Sequence, residues 1–318
     1  MTTFRRTVRL FILILSVLAG IVAVFAAYIA RMMISPPRKG LWATPADLGM
    51  PYEEVQFPAR DGLRLSGWFI PAKQSGENKA KATLVMVHGW PWNRLGTTAE
   101  NILTDLPGSS PLQLIHLAHA LHRSGYQLLM FDLRNHGESA PAMPVTFGLH
   151  EANDLLGALD YLAGRQEVDN QRIGVVGFSM GANTVLYALP RTDLIKAAVL
   201  VQPTSASVFS NRYATSLLGP FGRLIVFFAE LIYQGAGGLR LSALDPVFTV
   251  AGAGPTPILY VQGIGDPWGS VDNVVQMAAA TPNASEPVLV ESVGRFGGYQ
   301  YVIDNPEVVD AFFQEQID

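Results

Sequence analysis

Cysteine is absent from all 318 residues, which excludes disulfide scaffolding, thiolate catalysis and cysteine-based metal centres together. Histidine is scarce and unevenly placed, because all six lie at or before His150 and the second half of the chain has no imidazole. Charge is sparse as well: 15% of residues are charged, the net charge is -4, and no run of five or six like charges occurs. That distribution gives no electrostatic case for nucleic acid. The G-x-G-x-x-G dinucleotide turn and the G-x-x-x-x-G-K-[ST] phosphate loop are both missing, so no cofactor is indicated.

What is abundant is apolar residues, 49% of the chain, enough for one large core. Part of that excess is local: Leu10 to Ala30 is an uncharged run of 21 residues, against the ~20 that cross a bilayer as a helix. It reads as a single transmembrane anchor. A cleaved signal peptide is the competing reading, but the run exceeds the roughly 7–15 apolar residues of such peptides and no clean Ala-x-Ala site closes it. Arg5, Arg6 and Arg9 precede the run, whereas Arg31, Arg38 and Lys39 follow it. The short basic N-terminus favours a cytoplasmic start with the domain on the extracytoplasmic side. The expected division is an anchor over 1–34, an extended connection over 35–50 marked by Pro36, Pro37, Gly40 and Pro45, and a folded domain over 51–318.

Two strand patterns open the domain, Tyr52–Phe57 and Leu63–Ile70, joined at Asp61-Gly62 as an antiparallel pair. Lys73–Lys81 is polar and reads as a surface loop. Strands and helices then alternate: strands over Ala82–His88, Gln127–Asp132, Arg172–Phe178, Ala197–Gln202, Pro257–Gly263 and Val288–Ser292 interleave with helical stretches. The last helix is expected over Asn305–Gln316. Such alternation predicts a mostly parallel sheet covered by helices on both faces.

Gly177-Phe178-Ser179-Met180-Gly181 stands between one of these strands and a helix. Strand, sharp turn and helix are the context in which G-x-S-x-G presents a nucleophilic serine, with the next backbone N–H, here that of Met180, facing a developing oxyanion. The residues from about Pro51 onward resemble the alpha/beta-hydrolase superfamily, near its esterase and proline-iminopeptidase-like serine hydrolases. Val85-Met86-Val87-His88-Gly89-Trp90 is similar to that family's His-Gly loop, which implies the Trp90 N–H as second oxyanion donor. Asp132-Leu133-Arg134-Asn135-His136-Gly137-Glu138-Ser139 resembles its D-x-R-G-H-G-x-S loop, with Asn135, which tolerates left-handed backbone, replacing glycine. Gln262-Gly263-Ile264-Gly265-Asp266 resembles its H-G-x-x-D acid loop, so the resemblance implies Asp266 as the triad acid, with Asp272 as runner-up.

The family's histidine would stand in the loop after the last strand, here Val293-Gly294-Arg295-Phe296-Gly297-Gly298-Tyr299, where the resemblance puts Phe296 at the histidine position, give or take one residue. Phenylalanine exchanges no proton, and losing the triad base lowers kcat by about 10⁶-fold. His88 is the alternative base nearest the serine, although its family role is to support the loop. His136 has a similar supporting role, His116, His119 and His122 share one helix without a metal-binding pattern, and His150 opens a helix. No metal is indicated.

Residues 203–253 interrupt the alternation. A helix over Pro220–Gln234 carries Phe221, Leu224, Ile225, Phe228, Leu231 and Ile232 as a stripe that would cap the serine, line an acyl pocket, touch the bilayer or simply pack on the sheet. Two functions stay open: a serine hydrolase of apolar carboxylic esters or related acyl substrates acting through Ser179, and an inactive membrane-anchored relative that binds a ligand or partner.

Overall fold

The computed structural model describes residues 2–72, 81–101 and 104–317. Residues 73–80, most of the expected Lys73–Lys81 surface loop, lie outside the described residues. Helix α1 (Thr2–Ile34) holds the long apolar run. Its side chains are exposed from Phe4 to Ile21, then the helix dips into the domain, burying Ala26, Ala30, Met32 and Met33. Pro36 and Pro37 prevent its continuation. The connection that follows is bonded to the domain: Asn93 Nδ2 donates to Gly40 O at 3.0 Å, Arg38 Nε to Gly137 O at 2.9 Å, and Lys39 pairs with Asp105.

Strands β1 (Glu53–Pro58) and β2 (Arg64–Ile70) form the antiparallel pair, turning through Gly62 at φ 85°. β3 (Thr83–Val87) follows, then the two-residue strands β4 (Gly96–Thr97) and β5 (Leu112–Gln113), which pair outside the main sheet. Next come α2 (Leu114–Arg123), β6 (Gln127–Phe131), α3 (Ala152–Ala163), β7 (Ile173–Phe178) and α4 (Met180–Ala188). β8 (Ala197–Val201) leads into the inserted helices α5 (Ala206–Leu218) and α6 (Gly222–Gly235). The chain closes with β9 (Ile258–Gly263), α7 (Val271–Ala280), β10 (Val288–Val290), α8 (Gly294–Asp304) and α9 (Glu307–Ile317).

The main sheet runs β1-β2-β6-β3-β7-β8-β9-β10, parallel from β6 to β10 and antiparallel at the β1 end. Every residue of β3, β6, β7, β8 and β9 is buried, as strands covered on both faces require. Parallel strands aim their carboxyl ends at one edge, where open α/β sheets place ligands. At that edge lie the loops after β3, β7, β8, β9 and β10.

Two elements differ from the sequence expectation. The segment around Phe296, read as a loop, is the first turn of α8. Its glycines look unlike a helix because each costs about 1 kcal/mol relative to alanine there. Packing explains one of them: a Cβ on Gly298 would stand 2.2 Å from Gln202 Oε1. The second difference concerns the insertion. Only Ile225 of the expected α6 stripe is buried, whereas Phe221, Leu224, Phe228, Leu231 and Ile232 are exposed. It is α5, through Phe209, that reaches the pocket beside Ser179.

Candidate active site

Ser179 joins β7 to α4 with φ 52° and ψ -115°, a conformation that L-residues avoid unless the surroundings impose it. Its flanking glycines leave no alternative residue: a Cβ on Gly181 would lie 2.1 Å from Val87 O, and one on Gly177 2.8 Å from Ala182 Cα. Met180 is the first residue of α4, where a backbone N–H has no intrahelical acceptor. Ser179, Met180 and Trp90 line one pocket together with Phe147, Asn183, Thr204, Ala206 and Phe209. The serine and both expected oxyanion donors are therefore brought together.

Asp266 follows β9 and is buried. Its Oδ1 accepts the Trp268 backbone N–H at 2.8 Å, and its Oδ2 accepts Arg295 Nη1 at 2.6 Å. Arg295 is in turn the side chain that reaches the nucleophile position: Nη2 donates to Ser179 Oγ at 3.0 Å and to Gln202 O at 3.1 Å. Thr204 Oγ1 lies 3.4 Å from Nη1 and 3.3 Å from Nη2. The guanidinium also faces the Phe209 and Tyr299 rings, 5.4 and 5.3 Å from their centroids. Burial works against its charge, but Asp266 and Tyr299 together outweigh burial and hold Arg295 above the usual arginine range. Ser179, Arg295 and Asp266 thus form a continuous chain of contacts in which a permanent cation occupies the middle place.

A family model described as the alpha/beta hydrolase fold matches residues 82–224. Among solved structures, the esterase Pf2001 of Pyrococcus furiosus superposes with a TM-score of 0.68 at 23% identity, over 90% of this chain and 99% of the esterase. This chain has the alpha/beta-hydrolase fold. An acylaminoacyl peptidase of Pyrococcus horikoshii superposes on this alpha/beta-hydrolase domain with a TM-score of 0.60 at 18% identity, over 84% of the chain and 42% of the peptidase. By sequence, the chain is similar to the uncharacterised protein YfhR of Salmonella typhi, 28% identical over 255 residues, 76% of this chain and 74% of YfhR. The alpha/beta hydrolase domain-containing protein WAV2 of Arabidopsis thaliana is 28% identical over 263 residues, 79% of this chain and 74% of WAV2.

Against that alpha/beta-hydrolase geometry, three sequence expectations change. Phe296 does not stand between serine and acid: it packs on Trp92, Trp268 and Tyr299, with ring centroids 5.9–6.0 Å away. One helical residue turns a side chain by about 100°, so Arg295 points where Phe296 was expected. His88 is not an available base. Its Nδ1 donates to Gly89 O at 2.8 Å, its Nε2 accepts the Leu133 N–H at 3.0 Å, and burial holds it below the usual histidine range. Asp272 is exposed in the first turn of α7, so it does not compete with Asp266.

The remaining histidines are distributed through the alpha/beta-hydrolase scaffold. His136 is buried with Nδ1 on Arg134 O at 2.7 Å, His122 is buried with Nε2 2.9 Å from Pro71 O, and His116 and His150 are exposed. Asn135 adopts φ 69°, the left-handed geometry its substitution for glycine requires. Sequence reasoning missed Arg295, Gln202 and Thr204. Gln202 takes φ 51° after β8, accepts the Gly263 N–H through Oε1 at 3.2 Å and donates to Arg295 O at 2.8 Å, so it fixes α8 against the sheet edge. Tyr299 completes the cluster; burial pushes its hydroxyl up to about 12, so it stays protonated and is no base either.

Proposed function

We propose that this chain is a membrane-anchored binding protein for apolar carboxylates and acyl ligands, built on a hydrolase scaffold that has exchanged its base for a cation. The observation that carries the reading is the direction of the bond at Ser179. In a Ser-His-acid site the serine donates to imidazole, which then takes its proton. Arg295 has no acceptor and stays charged, so Ser179 Oγ accepts instead, and the serine proton is left free to face the pocket.

Apart from the Asn183 and Thr204 side chains, the polar groups offered there are donors. The Met180 and Trp90 backbone N–H groups are the proposed oxyanion donors, and the Trp90 indole N–H is buried without a partner among the described residues. A ring of donors backed by a guanidinium favours an anionic oxygen ligand, while Phe147, Ala206 and Phe209 suit an aliphatic chain. The pocket is small, about 20 Å³, so a bound chain has to part its apolar lining. Ester turnover at Ser179 is the alternative, supported by the retained elbow geometry and by the esterase likeness.

The test pairs turnover with binding in the purified full-length protein. Short-chain aryl-ester hydrolysis is expected to match that of Ser179→Ala to within about tenfold, the residual catalysis coming from binding and the oxyanion site. Decanoate is expected to bind both proteins, and more weakly to Arg295→Gln. Turnover a thousandfold above Ser179→Ala, still well short of the about 10⁶ that an intact triad supplies, would return the protein to the hydrolases.

A further inference from the structure

We infer that α6 is embedded in the same bilayer leaflet that receives the C-terminal end of α1, and that the pocket draws its acyl ligand laterally from that leaflet. The inference rests on the acyl-binding reading for the identity of the ligand and on the membrane-anchor reading of α1 for the seating of α6.

The seating follows from where α1 packs. About 20 helical residues cross the ~30 Å of hydrocarbon, and the uncharged run is Leu10 to Ala30 between Arg9 and Arg31. The last part of that run is not free. Ala26 and Ala30 form a cluster with Ile225 and Ala229 of α6, joined by Val22, Ile29, Ile34 and Leu218. Moving the span N-terminally until these residues left the hydrocarbon would carry Arg5, Arg6 and Arg9 into it, at up to about 2.5–3.5 kcal/mol each at the centre. The arginines hold the span in place, so whatever packs against residues 22–30 sits at hydrocarbon depth.

The surface of α6 suits that position. Phe221, Leu224, Phe227, Phe228, Leu231 and Ile232 are between 41% and 71% exposed, an apolar face that water would penalise at about 25 cal/mol per Å². Of its two charged residues, Arg223 lies in the first turn, and Glu230 accepts the Leu241 backbone N–H at 2.9 Å within the domain. Neither α5 nor α6 can span the membrane: 13 and 14 residues make about 20 Å each. Gly219, at φ 59°, breaks the pair, and Gly222 lies so close to α5 that a Cβ would stand 2.3 Å from Ala214 O. A helix as short as α6, packed on the C-terminal part of α1, lies within one leaflet rather than crossing the bilayer.

The C-terminal part of α1 also borders the space beside Ser179. A second, narrow apolar cleft of about 30 Å³ shares Trp90, Phe147 and Phe209 with the Ser179 pocket. Its outer wall is Tyr28, Ile29, Met32 and Met33 of α1 with Tyr213 of α5. An aliphatic chain entering from the leaflet would pass these residues before its carboxylate met the donors at Ser179.

The absence of native cysteine makes the test direct. Full-length Phe228→Cys, Leu231→Cys, Leu15→Cys and Asp169→Cys, each carrying one environment-sensitive fluorophore, are reconstituted in phosphatidylcholine vesicles with or without doxyl-labelled phosphatidylcholine. The labels on α6 are expected to lose the same fraction of emission to doxyl lipid as the Leu15→Cys label and to resist aqueous iodide. Labels at 228 and 231 that respond to iodide as the exposed Asp169→Cys label does would overturn the seating. Lateral entry is read separately with a diazirine-bearing palmitate dissolved in the same vesicles. Adducts on residues 26–33 and 206–218 support entry, and adducts confined to 10–21 overturn it. If palmitate fails to bind in detergent while the quenching result holds, the acyl-binding reading falls and the seating of α6 remains.

Discussion

Because Arg295 stays charged at every physiological pH, its surroundings must neutralise it, and Asp266 is the carboxylate in contact with it among the described residues. Both side chains are at most 3% exposed. Removing one partner of such a pair leaves a buried charge uncompensated, so Asp266→Asn is expected to destabilise the domain by about 3–5 kcal/mol, read from urea unfolding. The double variant Asp266→Leu/Arg295→Met should cost clearly less than the sum of its singles; additive losses would mean that the pair is not coupled. Arg295→His offers Ser179 an acceptor, and aryl-ester hydrolysis by that variant should rise with pH through about 6.5, where imidazole deprotonates. A flat profile at the wild-type level would show that more than the base is missing. The places of Ser179 and Asp266 were legible in the chain because the G-x-S-x-G turn and the loop after the late strand are recognisable local patterns. Arg295 was not, since an arginine carries no signal of proton transfer and only the fold reveals which of two adjacent residues faces the serine.

Among the elements, α8 shows how packing overrides propensity. Replacing Gly298 with alanine should gain up to about 1 kcal/mol on helix propensity alone. Its Cβ would nevertheless meet Gln202, which is buried and holds both the Gly263 N–H and Arg295 O. Overpacking of that kind costs about 1–3 kcal/mol, so Gly298→Ala is expected to lower the urea midpoint; a raised midpoint would show that Gln202 can give way. Glycine hid this helix from pattern reading, and with it the phase that distinguishes residue 295 from 296. α6 was legible in the opposite way: its apolar spacing announced a helix, but periodicity does not say on which side the partner lies. The strands were the most readable part, because continuous Val, Ile and Leu runs leave few alternatives in a covered parallel sheet.

At the scale of the molecule, buried imidazoles set the response to acid. Burial holds His136 down at about 3, from an ordinary 6.5, and depresses His88 in the same direction. With a depressed folded value the unfolded chain binds more protons between those limits, so the His136 contribution is complete above pH 6.5 and falls as pH drops toward 3, by up to about 1.4 kcal/mol per unit, and His88 acts in the same sense. Asp154, raised to about 7 by burial despite its Arg134 partner, works in the opposite sense. The test is therefore a difference: His136→Asn should lose less stability than wild type between pH 6.5 and 4, and parallel curves would mean that His136 is not held neutral. The same view of the whole chain bears on α1. Met32 and Met33 belong to the main core, and the Val145 backbone N–H donates to Met33 O at 3.1 Å. Cutting the chain after Ile34 to obtain a soluble fragment would strip one wall from the apolar cleft beside Ser179 and leave Ile225 and Ala229 bare, so such a fragment would misreport whatever that cleft can hold.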